Sequence, residues 1–328
     1  MVKKVFFGNY KGGVGKTTTV FEIGALLAEM HQKKVLLVDL DPQCSLSKVC
    51  SKTSDIKLEN INVEETLNFA IELYSEYLKE ASKIEILEGQ VKTRYLSINN
   101  MVKRINKYSN SGGRLEYIPT VLNIKNSRLN DIAEKMAKNT ITILSISKIM
   151  EDICKENNYD YILFDCPPNS NIITQGVYLY SDYYLIPTIL DEISCDGVAD
   201  YISEVQGTYL KYVYDNNIGG ITIKKYFGKR PELIGVLITM LKTSSTSISN
   251  EELLTNLDLI ISRVLENNKS LVTDSQYVAT NKKHIFDVSI RHLNNRSNPQ
   301  NYGVPITVNN GDIHSEYKEI ANILNKII

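Results

Sequence analysis

The chain carries almost no net charge. Its 37 lysines and arginines offset 38 aspartates and glutamates to leave −1, which excludes a molecule-wide basic field able to hold nucleic acid and confines any such contact to local patches. Paired cysteines are also missing. Cys44, Cys50, Cys154, Cys166 and Cys195 are odd in number and form no CxxC, a pattern that argues against zinc, an iron–sulfur cluster or a disulfide framework and for a reducing, cytoplasmic setting. No apolar run approaches the roughly 18 residues of a membrane span, and the one at the start, within Met1–Gly8, is too short for a signal peptide. His31, His284, His292 and His314 show no ligand spacing, and neither internal repeats nor long low-complexity linkers interrupt the sequence.

What is present is a globular composition, 43% hydrophobic and 23% charged over 328 residues, sufficient for one large α/β domain or two smaller ones. Short buried-strand runs recur at Val5–Asn9, Val35–Asp39, Leu115–Ile118, Tyr161–Asp165, Tyr184–Pro187 and Leu233–Ile238, with Ile285–Ile290 as a further partner. Helical periodicity lies between them: Lys16–Gln32 through Val20, Ile23, Leu27 and Met30, then Ser127–Asn157, Asp196–Tyr214 and the amphipathic end Ser315–Ile328. The alternation predicts an α/β fold, a mostly parallel twisted sheet with helices on both faces, in a single domain over 1–328. Two polar stretches read as surface excursions, near 79–114 and 215–230. The tyrosines at 201, 209, 212 and 214 fall at helical intervals and read as packing residues.

The sharpest signal follows the first strand: Asn9-Tyr10-Lys11-Gly12-Gly13-Val14-Gly15-Lys16-Thr17-Thr18. Glycines let main-chain N–H groups converge on phosphate oxygens, and a helix beginning near Lys16 adds the positive end of its dipole. Lys16 then reaches the β- and γ-phosphates, and the Thr17 hydroxyl serves Mg²⁺. The common pattern G-x-x-x-x-G-K-[ST] requires glycine where Tyr10 stands; the string that fits is the rarer K-G-G-x-G-K-[ST], with a second lysine, Lys11, ahead of the glycines. Two further strings end strands: Asp39-Leu40-Asp41-Pro42-Gln43, and Tyr159-Asp160-Tyr161-Ile162-Leu163-Phe164-Asp165-Cys166-Pro167-Pro168. Alternate strand positions share a face, which predicts that Asp39 and Asp41 point the same way.

Together these strings resemble the deviant Walker A ATPases, above all the ParA-type partition proteins without an N-terminal helix-turn-helix. The likeness extends to the Y-I-P segment at Tyr117 and to Tyr302-Gly303-Val304-Pro305-Ile306. Tyr10 departs from the family's usual Gln, and Cys44 from the Gly after D-P-Q. Only ten residues precede Lys11, which leaves no room for the helix-turn-helix of longer ParA proteins.

The resemblance implies ATP and Mg²⁺ as ligands and slow, partner-stimulated ATP hydrolysis. Nucleotide would sit on Lys11, Gly12, Gly13, Val14, Gly15, Lys16, Thr17 and Thr18, with Lys11 crossing to the phosphates of a facing subunit in an ATP-bound homodimer. Asp41 would orient the attacking water, with Lys11 and Lys16 the other catalytic groups, while Thr17, Asp39 and Asp165 serve Mg²⁺. The N-K-x-D signature of guanine-binding proteins is lacking, since the nearest string is Asn281-Lys282-Lys283-His284. Thr239 and Met240 resemble the adenine-side strand, and Ile290 and Arg291 the segment closing over the base.

Family members bind DNA without sequence preference. Lys282, Lys283, Arg291 and Arg296 are the favoured cluster for that contact here, ahead of the basic residues at 92–114 and 224–230. The resemblance further implies a ParB-like centromere-binding adaptor and a nucleoid-associated location, with no membrane attachment. A MinD-type membrane-associated division regulator is the alternative; it requires a terminal helix able to enter lipid, and the tail offers only Lys318 and Lys326 and no Phe or Trp. A metabolic ligase of the same architecture is a third possibility, one that would turn over ATP only with a carboxylate substrate.

Overall fold

The computed structural model describes residues 1–88, 99–108, 112–122, 124, 127–214, 226–227, 229–241, 247–268, 270–272, 284–292 and 315–328. Among the described residues seven strands are formed: β1 (Lys3–Phe7), β2 (Lys34–Asp39), β3 (Lys103–Arg104), β4 (Arg114–Ile118), β5 (Tyr161–Asp165), β6 (Tyr183–Thr188) and β7 (Glu232–Ile238). They make one sheet in the order β3-β4-β2-β5-β1-β6-β7. Every pairing is parallel except β3 with β4. Near-continuous burial along β2, β5 and β6 explains their uninterrupted apolar runs, because both sheet faces are covered.

One face is covered by α1 (Lys16–His31), α2 (Ser45–Ser54) and the last helix, α9 (Ser315–Ile327). The other carries α3 (Leu67–Glu88), α4 (Leu129–Met136), α5 (Ser145–Glu156), α6 (Ile172–Tyr180), α7 (Glu192–Tyr214) and α8 (Ser247–Asn268). Tyr317, Ile320, Ala321 and Leu324 are buried, and α9 lies along α1, with Tyr317 and Thr19 hydroxyls 3.3 Å apart. The apolar stripe read from the sequence is therefore satisfied within the fold.

Several boundaries differ from the pattern-based ones. The Ser127–Asn157 pattern is broken into α4, a 3₁₀ turn at Thr140–Leu144 and α5. The reason is local competition for the backbone: Asn139 accepts from the Ile141 N–H, Thr142 donates to the Met136 and Asn139 carbonyls, and Ser145 donates to the Thr142 carbonyl. The stretch near 79–114 is not an excursion over its whole length. It starts inside α3, whose Leu67, Ala70, Ile71, Tyr74 and Leu78 are buried, includes β3 with buried Met101, Ile105 and Tyr108 nearby, and ends at Arg114, the first residue of β4; residues 89–98 and 109–111 lie outside the described residues. Of the stretch near 215–230, residues 215–225 and 228 lie outside the described residues, while Tyr226 donates to Glu151 at 2.5 Å. Ile285–Ile290 runs along the edge of β7 by isolated parallel bridges and not as a full strand. Tyr201, Tyr209 and Tyr212 are packed as expected, whereas Tyr214 is exposed.

Candidate functional site

β1 lies between β5 and β6 at the centre of the sheet. The chain therefore leaves β1 at a point where strand order diverges to either side, the place where open parallel sheets build ligand sites at the carboxyl ends of their strands. Gly8 follows β1, and a Cβ there would stand 1.7 Å from the Tyr201 hydroxyl oxygen, so only glycine lets the chain pass α7. Asn9 is then fully buried, donates to the Pro187 carbonyl at 2.9 Å and accepts from the Lys11 N–H at 2.9 Å. Sequence reading gave Asn9 no role; the structure makes it the anchor of the loop. Tyr10 packs edge-on against Tyr201, ring centroids 5.2 Å apart, so the residue that departs from the family pattern is used in packing.

Gly13 and Gly15 take φ values of 74° and 78°, a left-handed conformation that strains other residues. A Cβ at Gly12 or Gly13 would meet no atom within 4 Å, so the main chain at these two residues faces open space. Val14 beneath is buried, and its carbonyl accepts from the Thr239 hydroxyl at 2.8 Å. Lys16 opens α1, is nearly buried, and donates to the Asn9 and Lys11 carbonyls at 3.2 and 2.9 Å. Burial lowers its pKa, while Asp165, Asp41 and Cys166 oppose that shift. Lys11 does something else. Its ammonium reaches Asp191, on the loop between β6 and α7, at 2.8 and 3.1 Å, and the hydroxyl of Ser194 in the first turn of α7 at 2.8 Å. Asp191 also caps α7 through the Ser194 N–H. Partial burial disfavours its ionised form, but bonds from Lys11 and Ser194 outweigh that and hold its carboxyl below the usual range.

The Thr17 hydroxyl donates to Asp165 at 2.7 Å, so two of the three Mg²⁺ candidates meet. A hydroxyl and a buried carboxylate beside a phosphate loop are hard oxygen donors of the type Mg²⁺ takes together with phosphate and water, and these residues fit that ion. Burial and neighbouring Asp39 push the Asp165 carboxyl well up, against the Thr17 bond and Lys16.

Asp39 sits across from Asp165 in the β2–β5 register. Its carboxylate accepts from the main-chain N–H groups of Ser47, at 2.7 Å, and Asp41, at 3.1 Å. Its side chain therefore holds the start of α2 and the turn containing Asp41. That turn lies beyond the end of β2, so strand alternation does not govern Asp41; its carboxylate instead accepts from the Gln43 N–H at 2.8 Å. Cys44 follows with φ 54°, a left-handed position suited to the family's glycine.

Burial pushes the Asp39 carboxyl up to about 7, against bonds from Ser47 and Asp41. A carboxyl whose folded pKa is raised binds more protons in the native chain than in the unfolded chain, so stability falls as pH rises between the two values. We expect this carboxyl to contribute a downward slope to the melting temperature of nucleotide-free protein in EDTA from about pH 4 to about pH 7. That slope should be shallower in Asp39→Asn, as thermal melts across the range would show.

The base-side candidates are only partly as expected. Met240 is partly exposed beside Gly15, with φ 54°, and is open to a base. The Thr239 hydroxyl is committed to the Val14 and Thr188 carbonyls, so Thr239 supports the phosphate loop. Ile290 is 4% exposed and packs into the core, because its N–H and carbonyl bond Ile238 and Leu241 beside β7. Arg291 forms an ion pair with Glu316 on α9, so its guanidinium is engaged within the fold. Lys282, Lys283 and Arg296 lie outside the described residues.

A mostly parallel sheet with helices on both faces, a lysine and a threonine at the head of α1, and a carboxylate at the end of β5 facing that threonine define a P-loop nucleoside triphosphatase fold. The chain belongs to the AAA domain family, whose model matches residues 2–218. It is 27% identical over 241 residues to the sporulation initiation inhibitor protein Soj of Bacillus subtilis, covering 74% of each chain. To the chromosome-partitioning ATPase Soj of Treponema pallidum it is 27% identical over 226 residues, 69% of this chain and 72% of that one. In fold it is similar to an ATP complex of Cyanothece McdA (TM-score 0.62, 17% identity, 99% of this chain and 96% of the other). It is also similar to a Borrelia burgdorferi plasmid partition protein (TM-score 0.55, 18% identity, 100% and 99%) and to Mycobacterium smegmatis cobyrinic acid a,c-diamide synthase with ADP and magnesium (TM-score 0.59, 17% identity, 99% and 95%).

Proposed function

We propose that this single-domain ATPase is a DNA-partition switch: Mg²⁺-ATP brings two copies together face to face, the pair binds DNA without sequence preference, and a centromere-bound adaptor of the ParB kind stimulates hydrolysis and release. The observation that carries the reading is the divergence of the two lysines. Lys16 serves its own loop, while Lys11 extends to the rim and rests on Asp191 and Ser194. A lysine there adds little to phosphates already neutralised by Lys16, but it can neutralise those of a facing subunit, as an arginine finger does. Beside it Ile193 is 79% exposed, an apolar side chain suited to burial against a second copy. Names among the relatives, a chromosome-partitioning ATPase, a virulence plasmid ParA family protein and a plasmid partition protein, support the same reading.

Hydrolysis in this reading needs positioning and electrostatics. Bound Mg²⁺, held by Thr17 and Asp165, would offset charge on the phosphates. Lys16 cradles them, and Asp41, on its short turn, orients the water. No helix among the described residues is long and apolar enough to cross a membrane, and the apolar face of α9 is spent on α1, which disfavours the membrane-regulator alternative.

Sedimentation velocity with a non-hydrolysable ATP analogue, followed by binding to random-sequence duplex over a salt series, tests the proposal. The expected result is a nucleotide-dependent dimer whose DNA affinity drops steeply with salt. A monomer at saturating analogue would overturn it.

A further inference from the structure

The turn that carries Asp41 is fixed from behind by two residues with no role so far. The Thr120 hydroxyl donates to the Asp39 carbonyl at 2.7 Å, and the Thr120 N–H donates to the Ser47 hydroxyl at 2.9 Å. Ser47 in turn donates its N–H to the Asp39 carboxylate, whose other oxygen receives the Asp41 N–H. The ring closes through three separate elements: the end of β2, the first turn of α2 and the segment after β4. Ser47 and Thr120 are fully buried and Asp39 is 1% exposed, so losing a bond within the ring leaves a buried polar group short of its partner. Packing alone does not hold the turn, because Cys44 and Thr120 also line a cavity of about 420 Å³. The Cys44 backbone is left-handed as well, a conformation that a non-glycine residue keeps only when its surroundings impose it.

We infer that Ser47 and Thr120 are positioning residues for hydrolysis: they set where the Asp41 carboxylate stands relative to the terminal phosphate, and they do so without touching nucleotide. This rests on the reading of Asp41 given above. An attacking water aligned to within a fraction of an ångström is worth orders of magnitude in rate, whereas nucleotide affinity comes from the loop after β1 and is set elsewhere. The inference therefore separates turnover from binding.

The experiment measures single-turnover ATP hydrolysis and affinity for a fluorescent ATP analogue in the full chain, for the parent and for Thr120→Val, Thr120→Ser, Ser47→Ala and Asp41→Ala. Thr120→Val and Ser47→Ala are expected to lose at least tenfold in rate with affinity unchanged within twofold, and Thr120→Ser, which keeps the hydroxyl, to recover most of the rate. Parental turnover in Thr120→Val would overturn the inference. So would loss of folding or nucleotide binding in both Thr120→Val and Ser47→Ala, since the ring would then be a general support of the sheet edge. Asp41→Ala separates the two levels: if it turns over like the parent, the role given to Asp41 fails; if it is inactive while Thr120→Val is not, only the positioning role fails.

Discussion

Gly8→Ala should destabilise the protein by about 3 kcal/mol or more, the upper end of what overpacking one methyl group costs. The Tyr201 hydroxyl, Cζ and Cε1 would stand 1.7, 2.3 and 2.9 Å from the new Cβ. Tyr201 cannot swing clear, because it is fully buried and its ring meets Tyr178 edge-on at a centroid distance of 5.9 Å and Tyr10 at 5.2 Å. Nor can the main chain retreat, since the Gly8 N–H bonds the Leu185 carbonyl and Asn9 bonds the Pro187 carbonyl. Thermal or urea unfolding would read the loss directly. Gly12→Ala is the control, having no atom within 4 Å of the added methyl, and should unfold like the parent. Combining Gly8→Ala with Tyr201→Leu should recover part of the loss. Equal stability of Gly8→Ala and parent would mean that the approach of α7 to the loop is not as described.

Asp41→Ala should have the largest effect on chemistry. If this carboxylate orients the attacking water, its removal costs on the order of 10²-fold or more in hydrolysis. Nucleotide binding should persist, because Lys16, Thr17 and the glycine N–H groups belong to another loop. The Asp41 side chain bonds the Gln43 N–H in a partly exposed turn, so its loss should leave the fold intact. Phosphate release alongside analogue titration would check both halves. A variant that hydrolyses ATP at the parental rate would remove Asp41 from the chemistry. One that no longer binds nucleotide would make it part of the cradle.

Much of the central sheet was legible in the sequence for a physical reason. Strands covered on both faces must be apolar throughout, so β2, β5 and β6 announce themselves, and a phosphate loop must concentrate its glycines, lysine and threonine within a few residues. Other features were hidden because their partners are distant in the chain. Asp191 meets Lys11 from 180 residues away, Asn9 meets Pro187 from 178 and Thr120 meets Ser47 from 73. α3 was missed although Leu67, Ala70, Ile71, Tyr74 and Leu78 have helical spacing, because the polar residues on its other face merge with the polar stretch that follows. The base-side residues misled for a different reason. A strand-like string says nothing about which side chains turn inward, and Ile290 and Thr239 both do.

A nucleotide-dependent pair of subunits requires Lys11 to act between them. Analytical ultracentrifugation of Lys11→Ala beside the parent, each with a saturating ATP analogue and Mg²⁺, tests that claim most directly. The parent should sediment as a dimer, and the variant should stay a monomer while still binding the analogue through Lys16. A Lys11→Ala protein that dimerises with ATP as readily as the parent would contradict it.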